Sequence, residues 1–242
     1  MSGSEPGSRR IGRPRAVEST LDIEPAEHIL LEAGRLFTEH GFRGTTTREI
    51  AEAAGLRQGS LYHYFARKDD ILAELLDRTV DAPLQVARLL DVATASGAAR
   101  LWALTFLDVH NYCSGPYNLA LLARLPDAQR PRFSEFWEKR SELQGWYGRY
   151  LNLASEEGTV RVDNLELMTE FVFGVVGSPV AWFDSRKHDR LIVARVTARS
   201  VLLCGLIDLQ RLTEIIEEGM KLAAQVPAPA PAVVQPAAPV AS

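Results

Sequence analysis

The chain has 242 residues, 46% of them apolar and 24% charged, with a mean hydropathy of −0.07. These values exclude a disordered chain and a membrane bundle, and the length allows one domain or two around a sizeable core. A net charge of −4 speaks against a nucleic-acid partner only as an average, because charges more than about 8 Å apart are screened at physiological salt.

Local charge points the other way. Residues 1–15 hold Arg9, Arg10, Arg13 and Arg15 against Glu5, and residues 42–68 hold Arg43, Arg48, Arg57, Arg67 and Lys68 against Glu49 and Glu52, so each stretch is a basic island of net charge +3. The longest charge-free apolar run, Phe171 to Phe183, has thirteen residues, and a bilayer needs roughly 20. No membrane partner is expected. The N-terminus lacks the apolar run of a secretory signal, which predicts a cytoplasmic protein. Cys113 and Cys204 are too far apart for a metal knuckle or a disulfide framework and are expected as reduced core residues. No metal or cofactor is expected.

In chain order, residues 1–24 are a Gly-, Ser- and Arg-rich flexible arm. Ile29, Ala33, Leu36 and Phe37 fall at i, i+4, i+7 and i+8, which predicts a helix over 26–40. Further helices are expected near 47–54, 58–65, 69–81, 84–94, 98–113, 117–124, 131–156, 164–184, 188–208 and 211–224. Gly41, Gly55 and Gly158 stand where helices should stop, and Pro83 marks a change from short helices to long ones. The sixteen residues from Pro227 hold five prolines and predict a disordered tail. No stretch sustains period-two alternation, so the expected fold is all-α: a module of short helices over 25–80, a helical module over 81–226, and the tail at 227–242.

Residues 41–65 carry the chemistry. Thr46 and Glu49 have the spacing of a capping box, in which each accepts from the other's backbone amide. Ile50, Ala51 and Ala54 give the helix a narrow face of small residues that another helix can approach. Gly55 supplies a turn and Leu56 plugs the angle, which together read as a helix-turn-helix. The second helix turns Leu61 and Phe65 inward and exposes Gln58, Ser60, Tyr62 and His63, groups able to bond base edges or phosphates. Gly59 lets the backbone approach DNA.

This stretch resembles the DNA-binding domain of the TetR family of bacterial transcriptional regulators. The resemblance rests on Gly41, Phe42, Thr45, Thr46, Ile50, Ala51, Ala54, Gly55, Gly59, Leu61, Tyr62, Tyr64, Phe65, Lys68 and Leu72. It covers about residues 26–76. It implies that Gln58, Gly59, Ser60 and His63 face the major groove and that Thr46, Tyr62, Tyr64 and Lys68 touch phosphates. One position departs from the pattern: Arg57 stands where Ser or Thr commonly caps the recognition helix, so the cap is weak or comes from elsewhere. Arg57 either reaches a phosphate or a guanine, or is solvated.

The arm Arg9-Arg10-Ile11-Gly12-Arg13-Pro14-Arg15 has a Gly-Arg-Pro core suited to an A·T minor groove, with Arg13 and Arg15 as its contacts; the alternative is a solvated tail. The second module is rich in aromatics. They either pack a core or line an effector cavity, for which Trp102, Phe106, His110, Trp137, Trp146, Tyr147 and Phe171 are the candidates. The resemblance adds an expectation of a small-molecule effector, apolar or aromatic, that releases double-stranded operator DNA. Segments 164–184 and 188–208 are apolar on more than one face and carry small residues, which suggests a partner helix pair. The resemblance implies a homodimer through these two segments. An enzyme is the rival reading, and the G-x-S-x-G, H-x-x-x-H and G-x-x-x-x-G-K patterns are all missing. A helical binding or scaffolding protein without DNA is the other.

Overall fold

The computed structural model describes residues 24–115 and 117–227. Among these the chain is all-α, with no strand and one isolated antiparallel bridge between Val160 and Leu206. Arg13, Arg15 and the rest of the basic arm, and the proline-rich tail from residue 228, lie outside the described residues.

Helix α1 (Pro25–Gly44) begins with proline in its first turn, where a missing N–H costs nothing, and buries Ile29, Leu30, Ala33, Leu36 and Phe37. Gly41, at φ 76°, breaks it at the position where the sequence predicts a stop. The break folds Phe42 back onto Phe37, with ring centroids 5.2 Å apart. Helix α2 (Thr47–Ala53) opens on the expected capping box: the Glu49 amide donates to Thr46 Oγ1 at 3.2 Å and the Thr46 amide donates to Glu49 Oε2 at 2.7 Å. Gly55, at φ 69°, makes the turn. Helix α3 (Gln58–Leu61) is shorter than the 58–65 expected. Its N-cap, Arg57, gives no side-chain hydrogen bond, and the amides of His63 and Tyr64 reach back only three residues, to Ser60 and Leu61.

Helix α4 (Lys68–Asp91) runs straight through Pro83, where the sequence predicts a break between two helices. An internal proline costs about 3 kcal/mol. Val80, Leu84, Val86, Ala87 and Leu90 are buried around it, and each large apolar side chain recovers roughly 1.5–3 kcal/mol. Burial therefore decides. Helix α5 (Gly97–Ser114) is capped by Ser96. Three short 3-10 turns follow, Leu119–Arg124, Pro126–Gln129 and Pro131–Phe133, in place of the helix expected over 117–124. Then come α6 (Ser134–Glu156), α7 (Leu165–Gly177), α8 (Arg190–Leu203) and α9 (Leu212–Gln225). The long segment expected over 164–184 stops at Gly177 because a 3-10 turn around Pro179 takes over, and that expected over 188–208 stops at Leu203.

Two apolar cores result. One joins α1, α2, α3 and the first half of α4, and it includes Leu119, Leu122, Ala128, Phe133 and Phe136 from far along the chain. The other joins the second half of α4 with α5 to α9 around Trp102, Tyr147 and Tyr150. Cys113 is buried as expected, but Cys204 is exposed just beyond the end of α8, which corrects its assignment to the core. No helix among the described residues is long and apolar enough to cross a membrane.

Candidate functional site

The outer face of the helix-turn-helix is open. Arg57, Gln58, Gly59, Tyr62, His63 and Tyr64 are exposed, and Ser60 is half-buried, while Leu61 is fully enclosed. An added Cβ at Gly59 would meet nothing within 4 Å, so this turn of α3 presents bare backbone to whatever docks there. Thr47, a residue the sequence does not single out, ties the face together. Gln58 Nε2 donates to Thr47 Oγ1 at 3.2 Å, and Tyr62 Oη lies 3.1 Å from the same oxygen. The first turn of α2 thus holds two side chains of the recognition segment in place.

Two of the residues the resemblance assigns to phosphates use their donors inside the protein. Thr46 Oγ1 donates to Glu49 Oε2 at 2.8 Å, so the hydroxyl proton is committed within the cap. Lys68 Nζ donates to Phe42 O and Thr45 O at 2.6 Å each and sits 4.3 Å from the centroid of the Phe42 ring. Burial pulls its pKa below the ordinary lysine value. Lys68 is a clamp on the α1–α2 connection, because both carbonyls lie beyond the break at Gly41, where Phe42 O otherwise takes the Thr45 amide at a long 3.4 Å.

The 3-10 turns between α5 and α6 are latched onto the helix-turn-helix. Arg43 Nε donates to Asp127 Oδ1 at 3.1 Å, Arg130 pairs with Asp69, and Arg132 pairs with Asp70. Trp137 Nε1, at the start of α6, donates to Ala128 O at 2.8 Å.

Behind that latch is a cavity of about 390 Å³ between α4, α5, α6 and α7, within the range of roughly 300–1,000 Å³ usual for small-ligand sites. Phe136, Leu143, Val176 and Val180 supply apolar wall; Asp108, Tyr112 and Arg140 supply polar groups; Arg124 and Glu170 are exposed at its edge. The Tyr147 hydroxyl donates to Asp108 Oδ2 at 2.9 Å, and Tyr112 donates to Val176 O at 2.6 Å. Burial raises the Asp108 carboxyl to about 6, against the partial relief given by Tyr147 and Arg140.

Of the aromatics expected around an effector, only Trp137 lines this cavity, and Tyr147 touches it through Asp108. Trp102, Phe106 and His110 stack along another face of α5, at 5.1 and 6.0 Å, with Gly219 of α9 against Trp102. Trp146 packs on Tyr150, and Phe171 is 70% exposed. The reason is helical spacing: 102, 106 and 110 share one face of α5, whereas Asp108 and Tyr112, also four apart, share the face that meets α6 and α7. The lining of this cavity is therefore mixed and partly charged, and most of the aromatic candidates lie away from it.

A capped α2, a glycine turn and an exposed α3 make this a DNA-binding helix-turn-helix in an all-helical regulator rather than an enzyme. Residues 29–75 match the family model for bacterial regulatory proteins of the tetR family. The HTH-type transcriptional repressor KstR2 of Mycobacterium tuberculosis is 32% identical over 160 residues, which are 64% of this chain and 79% of that protein. The crystal structure of Mycobacterium smegmatis AmtR superposes with a TM-score of 0.69 at 34% identity, over 89% of this chain and 100% of that one. The ketosteroid transcriptional regulator KstR2 of M. tuberculosis superposes equally well, TM-score 0.69, at 26% identity over 80% and 100% of the two chains. The chain belongs to the TetR family of transcriptional regulators.

Proposed function

We propose that the protein is a cytoplasmic, homodimeric repressor that reads a two-fold symmetric operator and releases it when a small effector enters the cavity between α4, α5, α6 and α7. The observation that carries the reading is the connection from cavity to DNA face: Trp137 lines the cavity and also bonds the turns that are latched to Arg43, Asp69 and Asp70. A ligand that moves α6 therefore pulls on both ends of the helix-turn-helix. Dimerisation is supported by α7 and α8, where Leu167 and Phe171, four apart on one helix, and Ile192 and Val196, four apart on the other, are all more than half exposed, as a helix face that meets a partner would be. The arm with Arg13 and Arg15 is proposed as a minor-groove contact, and Arg57, Gln58, Gly59, Ser60, Tyr62, His63 and Tyr64 as the major-groove and phosphate surface. Lys68 and Thr46 support that surface from behind.

The test is a mobility-shift assay with DNA from upstream of the chain's own coding sequence, combined with sedimentation. A dimer on DNA is expected, with half-sites about 34–36 Å apart. Gln58→Ala and His63→Ala should relax base preference by about 1–3 kcal/mol for each lost base contact. A monomer both free and on DNA, or equal losses on operator and random DNA, would refute the assignment.

A further inference from the structure

Among the described residues lining the cavity, Arg140 is a half-buried cation that no acid bonds directly; Arg124, likewise without an ion pair, is exposed at the edge. Other arginines of the protein are paired with acids: Arg78 with Glu27, Arg88 with Glu142, Arg130 with Asp69 and Arg149 with Asp91. Arg140, half-buried, makes no hydrogen bond or ion pair with any described residue. Its guanidinium is held by rings instead, 4.6 Å from the Phe173 centroid and 5.7 Å from that of Trp137. The two acids nearest to it point elsewhere. Asp108 Oδ2 takes the Tyr147 hydroxyl, and Glu170 Oε1 takes the Gln144 amide at 2.6 Å. Burial pulls the pKa of Arg140 down, against partial relief from the charges of Asp108 and Glu170.

A guanidinium that aromatic rings hold in one orientation presents a fixed fork of donors, and that fork matches a carboxylate. The lining also sets how much charge is welcome. Arg124 and Arg140 stand against Asp108 and Glu170, so the lining is close to neutral and each added negative charge on a ligand is less welcome than the last, which favours a monoanion over a dianion. Phe136, Leu143, Val176 and Val180 give the wall an apolar stretch, beside the neutral polar groups of Thr79, Tyr112, Gln144 and Ser178.

We infer that the effector is a monocarboxylate on an apolar body, with Arg140 as its counter-ion and the body against Phe136, Leu143 and Val176. This rests on the effector reading above and narrows it to a ligand class. The source of specificity is a charge pair inside a low-dielectric pocket, which is worth more than the same pair in water.

The experiment uses the full chain and two matched pairs of probes, 3-phenylpropanoate with 3-phenylpropanamide and octanoate with octanamide, plus phenyl phosphate as a dianion. Titration calorimetry should show at least one acid binding about tenfold or more tightly than its amide, with phenyl phosphate weaker than 3-phenylpropanoate. Arg140→Met should abolish the acid preference. Without ligand, that variant should melt no lower than the wild type, because it removes an unpaired charge and keeps the contact with Phe173 and Trp137. Equal binding of acid and amide overturns the inference and leaves the effector cavity standing. An Arg140→Met variant that melts several degrees lower yet keeps the acid preference makes Arg140 a structural residue and overturns it too. Binding by none of the probes also overturns it; the effector reading falls only when no small molecule releases the operator complex.

Discussion

Asp108 should make the stability of this protein fall as pH rises through weak acid. The residue is 7% exposed, and its carboxyl accepts a hydrogen bond from Tyr147 and is raised from 3.8 to about 6 by burial. A folded-state value above the unfolded one means that, between the two, the native state holds a proton the unfolded chain has lost. Stability therefore declines from about pH 4 to about pH 6 and stays at the lower level above that. Each pKa unit is worth about 1.4 kcal/mol, so the interval amounts to about 3 kcal/mol. Asp108→Asn keeps an oxygen for the Tyr147 hydroxyl and removes the ionisation. The difference in unfolding free energy between the variant and the wild type, measured by urea titration at pH 4, 5, 6, 7 and 8 without ligand, isolates this one group from the other acids. The variant should gain about 3 kcal/mol relative to the wild type across the series, most of it between pH 4 and 6. A difference that is flat with pH would show that Asp108 titrates normally and that the floor of the cavity is wetter than its geometry implies.

Lys68→Ala should lower the unfolding free energy by about 2 kcal/mol through two lost charge-assisted bonds, and leave the salt dependence of operator binding unchanged; a smaller salt slope with unaltered stability would return Lys68 to the phosphates. Gly97→Ala should cost about 1–3 kcal/mol, since its Cβ would sit 2.5 Å from the Ala154 amide nitrogen on the backbone of α6. Gly59→Ala, with open space around it, should leave melting unchanged and weaken DNA binding; an equal loss of stability in both glycine variants would refute the packing argument. Asp127→Ala should keep operator affinity within about threefold and shrink the ligand's effect on it, from the 1–3 kcal/mol typical of such coupling, because the bond to Arg43 is cut. Full release by ligand in that variant would mean that the latch carries no signal.

The helix-turn-helix is legible in the sequence because its determinants are local: a four-residue capping box, a glycine at positive φ and a face of small residues all act within one or two turns. The polar face of α3 is legible for the same reason. The length of α4 is not, because local rules at Pro83 are overruled by buried neighbours that only the tertiary structure supplies. The cavity is the least legible part. Asp108, Arg140 and Glu170 are ordinary charged residues in sequence, and nothing in their spacing shows that α5, α6 and α7 bring them to one wall. The aromatic residues look more like ligand contacts and mostly are core, since size and apolarity serve both ends equally.

Leu119, Leu122, Ala128, Phe133 and Phe136 complete the core of a domain that the chain finished building some fifty residues earlier. The boundary an engineer would draw at the end of the family motif is therefore not a seam. A fragment ending near residue 80 lacks these five side chains of its own core, and should aggregate or stay molten. A chimera that grafts this DNA-reading head onto another sensor must carry 119–136 with it, or import a receiving segment shaped for the same socket. The DNA-reading head and the segment that follows α5 are, in this molecule, a single folding piece.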